Sequence, residues 1–314
     1  MKEEEIRPQK LKDEEILFYI EDIKELLKKK KDFVAVNCPA CNSSDYKKSL
    51  EKYTLTYVTC NKCETTFVNP RPTPEMLSIF YDTSKRYAYW NKYIFPISED
   101  ARREKIFKPR AEKIIEICKR HNTKNSAIVD VGAGFGTFCE EVKKINFFNK
   151  VIAVEPSPDL AETCRKKGLE VINKGIEEVK FDYDIDVVTC FEVIEHLFSP
   201  KQFLLSCNSI LSKNGVMVIT CPNIKGFDVS ILKEVSETVD TEHLNYFNLN
   251  SLSHLLETCG FEVIEKLTPG KLDAELVRKK ILEGKFELNN QFLKSILLDR
   301  WAELGEKFQK FLSD

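Results

Sequence analysis

The stretch Val129-Asp130-Val131-Gly132-Ala133-Gly134-Phe135-Gly136 decides the fold. It joins an apolar run to sequence of helical character. Its glycines permit positive φ and let a ligand approach the backbone with no Cβ in the way. Nineteen residues after Gly136, a second apolar run ends at Glu155. A carboxylate at such a strand end accepts both hydroxyls of an adenosine ribose.

Outward from this turn, strand-like runs at 127–131, 151–155, 169–173, 186–191, 216–220 and 261–267 alternate with helical segments. Ser157-Pro158 and Ser199-Pro200 each start a helix, Asn250 opens another, and Gly168 and Gly260 are stop signals. Apolar strands alternating with helices predict an α/β fold with a Rossmann-like, mostly parallel sheet and helices on both faces. The chain divides into a charged N-terminal helix (1–36), a cysteine module (37–70), a helical, aromatic-rich connector (71–125), the α/β domain (126–267) and a helical tail (268–314). In the first segment Ile16, Ile20, Ile23 and Leu27 recur at helical spacing and predict one docking stripe. In the tail, Leu293, Leu297, Trp301, Leu304 and Phe308 keep the same period. The aromatics between Phe80 and Phe95 read as packing between two units more than as a lid over a pocket.

The glycine spacing discriminates between nucleotides. A dinucleotide turn reads G-x-G-x-x-G, because its third glycine packs the helix while a pyrophosphate sits on the helix N-terminus. Here the spacing is G-x-G-x-G, and position 137 is Thr. Asp130, just before the turn, is awkward beside a pyrophosphate and suits the ammonium of a methionine moiety. The reading therefore favours S-adenosylmethionine over a nicotinamide cofactor.

Residues 129–136, Val154-Glu155-Pro156 and Cys190-Phe191-Glu192-Val193-Ile194-Glu195-His196-Leu197 resemble successive motifs of the class I S-adenosylmethionine methyltransferases. The nearest subgroup carries the ubiquinone-biosynthesis-like methyltransferase domain, and the likeness covers about residues 126–267. The cysteine module followed by Asn69-Pro70-Arg71-Pro72-Thr73 resembles a bacterial subgroup associated with sugar, surface-polysaccharide or secondary-metabolite methylation. Glu242-His243-Leu244-Asn245-Tyr246-Phe247 and Thr268-Pro269-Gly270-Lys271-Leu272-Asp273 fit that subgroup too. The resemblance implies that Asp130, Gly132, Gly134 and Gly136 line the methionine end of the donor and that Glu155 binds the ribose. It further implies that Ile176 and Glu177 flank the adenine and that Phe191 ends the fourth strand beside the donor. One departure stands out. The family closes its sheet with a β-hairpin, whereas helical sequence follows Leu267 here.

Methyl transfer needs mainly a positioned nucleophile, with a base where that nucleophile is a hydroxyl or a carbon acid. His196 follows the fourth strand and His243 the fifth, so both belong at the C-terminal edge of the sheet, and imidazole is a natural base near neutral pH. With Glu195 they are the candidate catalytic residues. The plainer readings are that His196 caps its loop and orients Glu192 or Glu195, and that His243, with Asn245 and Tyr246, serves loop packing. Glu192 and Glu195 also form a possible carboxylate pair for a metal, but no third oxygen ligand is evident nearby.

Cys38-Pro39-Ala40-Cys41 and Cys60-Asn61-Lys62-Cys63 give the spacing C-x2-C-x18-C-x2-C of a zinc ribbon. Four thiolates at Cys38, Cys41, Cys60 and Cys63 close a tetrahedral sphere, so the Zn2+ is structural. A redox dithiol is the rival, but that motif needs one pair beside a βαβ unit. The other seven cysteines lie singly in apolar segments and read as small buried hydrophobes.

Bulk properties bound the function. Over 314 residues, 48 Lys and Arg oppose 50 Asp and Glu for a net charge of -2. That balance disfavours a nucleic-acid or anionic-membrane partner. No run approaches the roughly 20 apolar residues of a membrane span, and no signal peptide is evident, so the chain reads as cytoplasmic. The expected function is methyl transfer from S-adenosylmethionine to a small-molecule acceptor, a sugar or sugar nucleotide by the subgroup resemblance. The alternatives are an RNA methyltransferase that uses the zinc module as a clamp and a non-enzymatic binding protein that kept the fold.

Overall fold

The computed structural model describes residues 2–313. Two sheets organise it. The larger has five parallel strands in the order β6-β5-β4-β7-β8. They are β4 (Ala127–Val131), β5 (Lys150–Val154), β6 (Glu170–Ile172), β7 (Ile185–Phe191) and β8 (Leu211–Thr220). The smaller is antiparallel, in the order β1-β2-β3-β9. It comprises β1 (Tyr46–Lys52), β2 (Leu55–Cys60), β3 (Thr66–Val68) and β9 (Asn245–Tyr246).

Every residue of β4 is buried, as a strand covered on both faces requires. Alternate side chains serve opposite layers. Ile128 and Val187 pack with Ala111, Ile114, Phe138 and Val142 from the helices Lys108–Arg120 and Thr137–Ile145. Val129, Val131, Val188 and Cys190 pack on the other face with Phe203, Leu204 and Leu255 from the helices Pro200–Ile210 and Leu249–Thr258. Two helix starts follow the expected chemistry, and the third lies earlier than expected, capped by Asn248 and not opened by Asn250. Pro158 and Pro200 occupy first turns, the Ser199 hydroxyl accepts from the Gln202 amide, and Asn248 forms a capping box with Ser251. Gly168 and Gly260 stand just past helix ends in the left-handed region.

Two expectations are corrected. The run 261–267 forms no strand; Ile264 and Leu267 are 53% and 58% exposed, and no neighbour offers their faces a layer to bury against. Among the described residues β8 is therefore the edge of the sheet. The helix Gln9–Leu27 forms, but it docks through Glu15, Tyr19, Asp22, Ile23 and Leu26, leaving Ile16 and Ile20 exposed. The docking face is partly polar because its carboxylates find partners: Asp22 accepts from the Ser84 hydroxyl and the Lys85 amide, and Glu15 pairs with Arg86.

The cysteine module shares its core with the α/β domain. Cys38, Val58, Cys60 and Phe67 sit in one apolar cluster with Leu204, Phe247 and Leu255. The tail helices Asp273–Leu282 and Trp301–Ser313, with the helical turn Ser295–Asp299 before the second, pack Ala274, Val277, Leu297 and Phe308 against Phe227 and Leu232. No helix is long and apolar enough to cross a membrane among the described residues.

Candidate active site and cysteine centre

The three glycines of the turn do three different jobs. All have positive φ, at +75°, +55° and +72°. A Cβ at Gly132 would press into Val193, directly after Glu192 at the end of β7. One at Gly136 would meet Leu169 Cδ1 at 2.6 Å and Cys164 Sγ at 2.8 Å, so this glycine packs the helix onto its neighbours. At Gly134 a Cβ would meet nothing within 4 Å. That is the open face a ligand can approach.

Glu155 reaches across to this open bend. Its carboxylate accepts from the Gly134 amide at 2.8 Å and from the Ser157 amide at 2.9 Å. Each oxygen keeps a lone pair for a further donor. Burial pushes its pKa up to about 7. Asp130 lies beneath, 4% exposed, and accepts from the Thr189 hydroxyl at 2.7 Å. Burial raises it to about 6. Phe191 ends β7 and meets Phe138 edge-on. Arg110 lies over the Phe191 ring at 4.7 Å and within ion-pair reach of Glu192. Ile176 is buried in the core cluster, while Glu177 is exposed at the rim. These residues fit an adenosine-bearing ligand: an open, Cβ-free bend, a carboxylate with spare lone pairs and an aromatic strand end.

The second group lies beyond the tip of β7. Ile194–His196 forms a single turn, and the 240–247 segment folds against it. The amide of Leu244 donates to the Glu195 carbonyl at 2.8 Å, and the Asn245 side chain donates to the carbonyls of Ile194, Glu195 and Leu197. This brings the rings of His196 and His243 to 4.7 Å between centroids, with Tyr81 edge-on to His196 at 6.3 Å. Glu195 is fully buried, and burial raises its carboxyl well above the ordinary range. Burial, then the neighbouring His243, lowers His196 to about 3, so its ring is neutral at neutral pH. Asn245 and Tyr246 are fully buried and serve the packing of this segment. Glu192 accepts from the Thr220 hydroxyl at 2.6 Å and stands close enough to Glu195 to add, after burial, to the rise of its carboxyl. Glu195 thus neighbours both Glu192 and the two imidazoles, and its ligand atom clusters with those of His196 and His243.

Three arginines at this site escaped the sequence reading. Arg71, fully buried, donates to the carbonyls of Val68, Phe198 and Leu244 and so ties the connector to both loops. Arg86 bridges Glu15 and Glu242, and Tyr87 donates to the same Glu242 at 2.9 Å. Arg110 stands between the Phe191 ring and Glu192. The nearest signal was the Asn69-Pro70-Arg71-Pro72 connector, read for its resemblance and not for the partners of its arginine.

In the module, the four thiols Cys38, Cys41, Cys60 and Cys63 lie with all Sγ atoms within 4.8 Å of one another. Cys38–Cys63 and Cys41–Cys60 approach to 3.4 Å and 3.5 Å, and no disulfide joins them. Tetrahedral zinc with bonds of about 2.3 Å sets sulfurs about 3.8 Å apart, so the cluster has the right size. Each pair is wound by the same turn: the Asn42 amide donates to the Cys38 carbonyl and the Glu64 amide to the Cys60 carbonyl, with Asn42 and Glu64 left-handed.

A family described as a methyltransferase domain matches residues 101–266. The chain belongs to this methyltransferase family. It is 30% identical over 121 residues to the mitochondrial ubiquinone biosynthesis O-methyltransferase of Schizosaccharomyces pombe, covering 35% of this chain and 43% of the relative. It is 24% identical over 162 residues to the C-methyltransferase NovU of Streptomyces niveus, covering 49% and 37%. An S-adenosylmethionine-dependent methyltransferase structure from Clostridium acetobutylicum aligns with a TM-score of 0.46 at 14% identity, covering 57% of this chain and 90% of that one. The chain spans less than half the length of the first curated relatives it matches.

Proposed function

We propose that this methyltransferase-family chain transfers the methyl group of S-adenosylmethionine to a hydroxyl-rich small molecule, a sugar or sugar nucleotide, at oxygen or carbon. The observation that carries the reading is the Glu155 carboxylate bonded to the amide of Gly134, at the one glycine of the turn whose Cβ direction is open. Glu155 would hold the ribose, Gly132 and Gly134 the methionine end over Asp130, and Phe191 and Ile176 the base. When bound, the sulfonium donor supplies an activated methyl, so the chain's task is to position the acceptor.

The group Glu195, His196 and His243 stands on the acceptor side, its first member two residues beyond the Val193 that faces the glycine turn. It collects lone pairs where a hydroxyl or acidic carbon must be held and relieved of its proton. The surrounding Tyr81, Tyr87 and Glu242 are polar at their tips, which suits hydroxyl groups. The four cysteines would hold a structural Zn2+, and β3 carries that order directly to the Asn245–Tyr246 strand. The test is transfer of labelled methyl from S-adenosylmethionine to a panel of sugar nucleotides, glycans and RNA. Labelling of a sugar nucleotide or glycan supports the reading; labelling confined to RNA overturns it.

A further inference from the structure

We infer that Glu195, His196 and His243 form a second metal site, distinct from the four cysteines, which takes a divalent transition ion of the zinc type through two imidazoles and one carboxylate. The three residues offer one ligand atom each within 4.8 Å of one another. An ion with bonds of about 2.0–2.2 Å draws such atoms to about 3.4 Å, which needs side-chain movements of about an ångström.

The hydrogen bonding fixes what these atoms present. His243 Nδ1 faces the Thr238 carbonyl at 2.8 Å, and His196 Nδ1 faces the Glu242 carbonyl at 3.2 Å. A carbonyl only accepts, so each Nδ1 that meets one carries a proton, which leaves Nε2 as the ring atom available to a metal. Donation of the remote ring N–H to a backbone carbonyl is how metal-binding histidines are oriented. Glu195 supplies the third ligand. Both of its carboxylate oxygens are buried without a hydrogen-bond partner, although the residue is fully enclosed. A buried carboxylate with no donor is costly. No hydrogen bond joins it to either ring. Two imidazoles oriented through Nδ1 and a buried carboxyl without a hydrogen-bond donor make a donor set suited to such an ion.

Three protein ligands leave a coordination position open, unlike the closed four-thiolate centre. Resting on the proposed methyl-transfer reading, that position is where an acceptor oxygen would bind and lose its proton more readily. The existence of the site does not depend on that use.

Cobalt titration of the purified full-length chain, freed of metal, separates the two centres. The thiolate centre gives an intense sulfur-to-metal charge-transfer band, and a nitrogen–oxygen centre gives only weak visible bands. The expected result is two equivalents bound, one of each kind. Glu195→Gln, which preserves volume, and His243→Ala should each lose the second equivalent and keep the thiolate band. Saturation of the parent at one equivalent, or a Glu195→Gln protein that still takes two, overturns the site. Calorimetry with S-adenosylhomocysteine on the same samples reports the methyl-donor reading separately, since Glu195 is not among the residues assigned to the donor.

Discussion

At the scale of single residues, the glycine turn makes opposite demands at neighbouring positions. Gly132→Ala combines a left-handed backbone with a Cβ driven into Val193, so the variant should lose about 2–4 kcal/mol in denaturant unfolding. Gly134→Ala meets open space and carries only the backbone strain, about 1–2 kcal/mol. Its methyl group nevertheless fills the face proposed for the donor, so calorimetry should show donor binding lost from a folded protein. Glu155 adds a pH dependence. Its carboxyl ionises near 4.5 in the unfolded chain and at about 7 in the fold, so its share of stability is complete below 4.5 and is lost as pH rises through 7. The ionised form that accepts ribose hydroxyls accumulates over the same interval. S-adenosylhomocysteine affinity should therefore rise between pH 5.5 and 8, by up to about tenfold per unit below 7. The glycines, Glu155 and the four cysteines were legible in the sequence because their chemistry depends on near neighbours. Arg71, Arg86 and Arg110 were not, because their partners lie far along the chain: Leu244, Glu242 and Glu192 acquire meaning only after folding.

At the scale of elements, strands with both faces buried announced themselves as apolar runs, and β4, β5 and β7 lie where those runs predicted. The failures were elements decided by partners. The 261–267 run has strand-like composition but no layer to cover it. The two-residue β9 is too short to carry a period, yet its pairing of Thr66 with Tyr246 and Phe67 with Asn245 joins the cysteine module to the segment holding His243. That link predicts a remote effect of metal. Chelation, or Cys60→Ser, should speed amide hydrogen exchange at 244–247, beyond the module itself, whereas β4 and β7 should keep their protection. Unchanged exchange at 244–247 after metal loss would show that β9 holds its place without the module.

At the scale of the whole molecule, the N-terminal helix, module, α/β domain and tail read as separate segments in sequence but share interfaces in the fold. The cysteines contribute to the core of the large sheet, and Arg86 joins the N-terminal helix to the His243 segment through Glu15 and Glu242. Both carboxylates are nearly enclosed, with side chains 6% and 4% exposed. Arg86→Ala strands them, and the cost in denaturant unfolding should be about 3–5 kcal/mol. The proposed donor pocket at the strand tips underlies the methyl-transfer reading, and one titration addresses it most directly. S-adenosylhomocysteine should bind the parent chain at pH 8 and bind Glu155→Ala at least about tenfold more weakly, as loss of charge-assisted hydrogen bonds worth about 1.5–3 kcal/mol requires. Equal affinity in the two proteins, or no heat of binding to the parent at saturating ligand, would contradict the account.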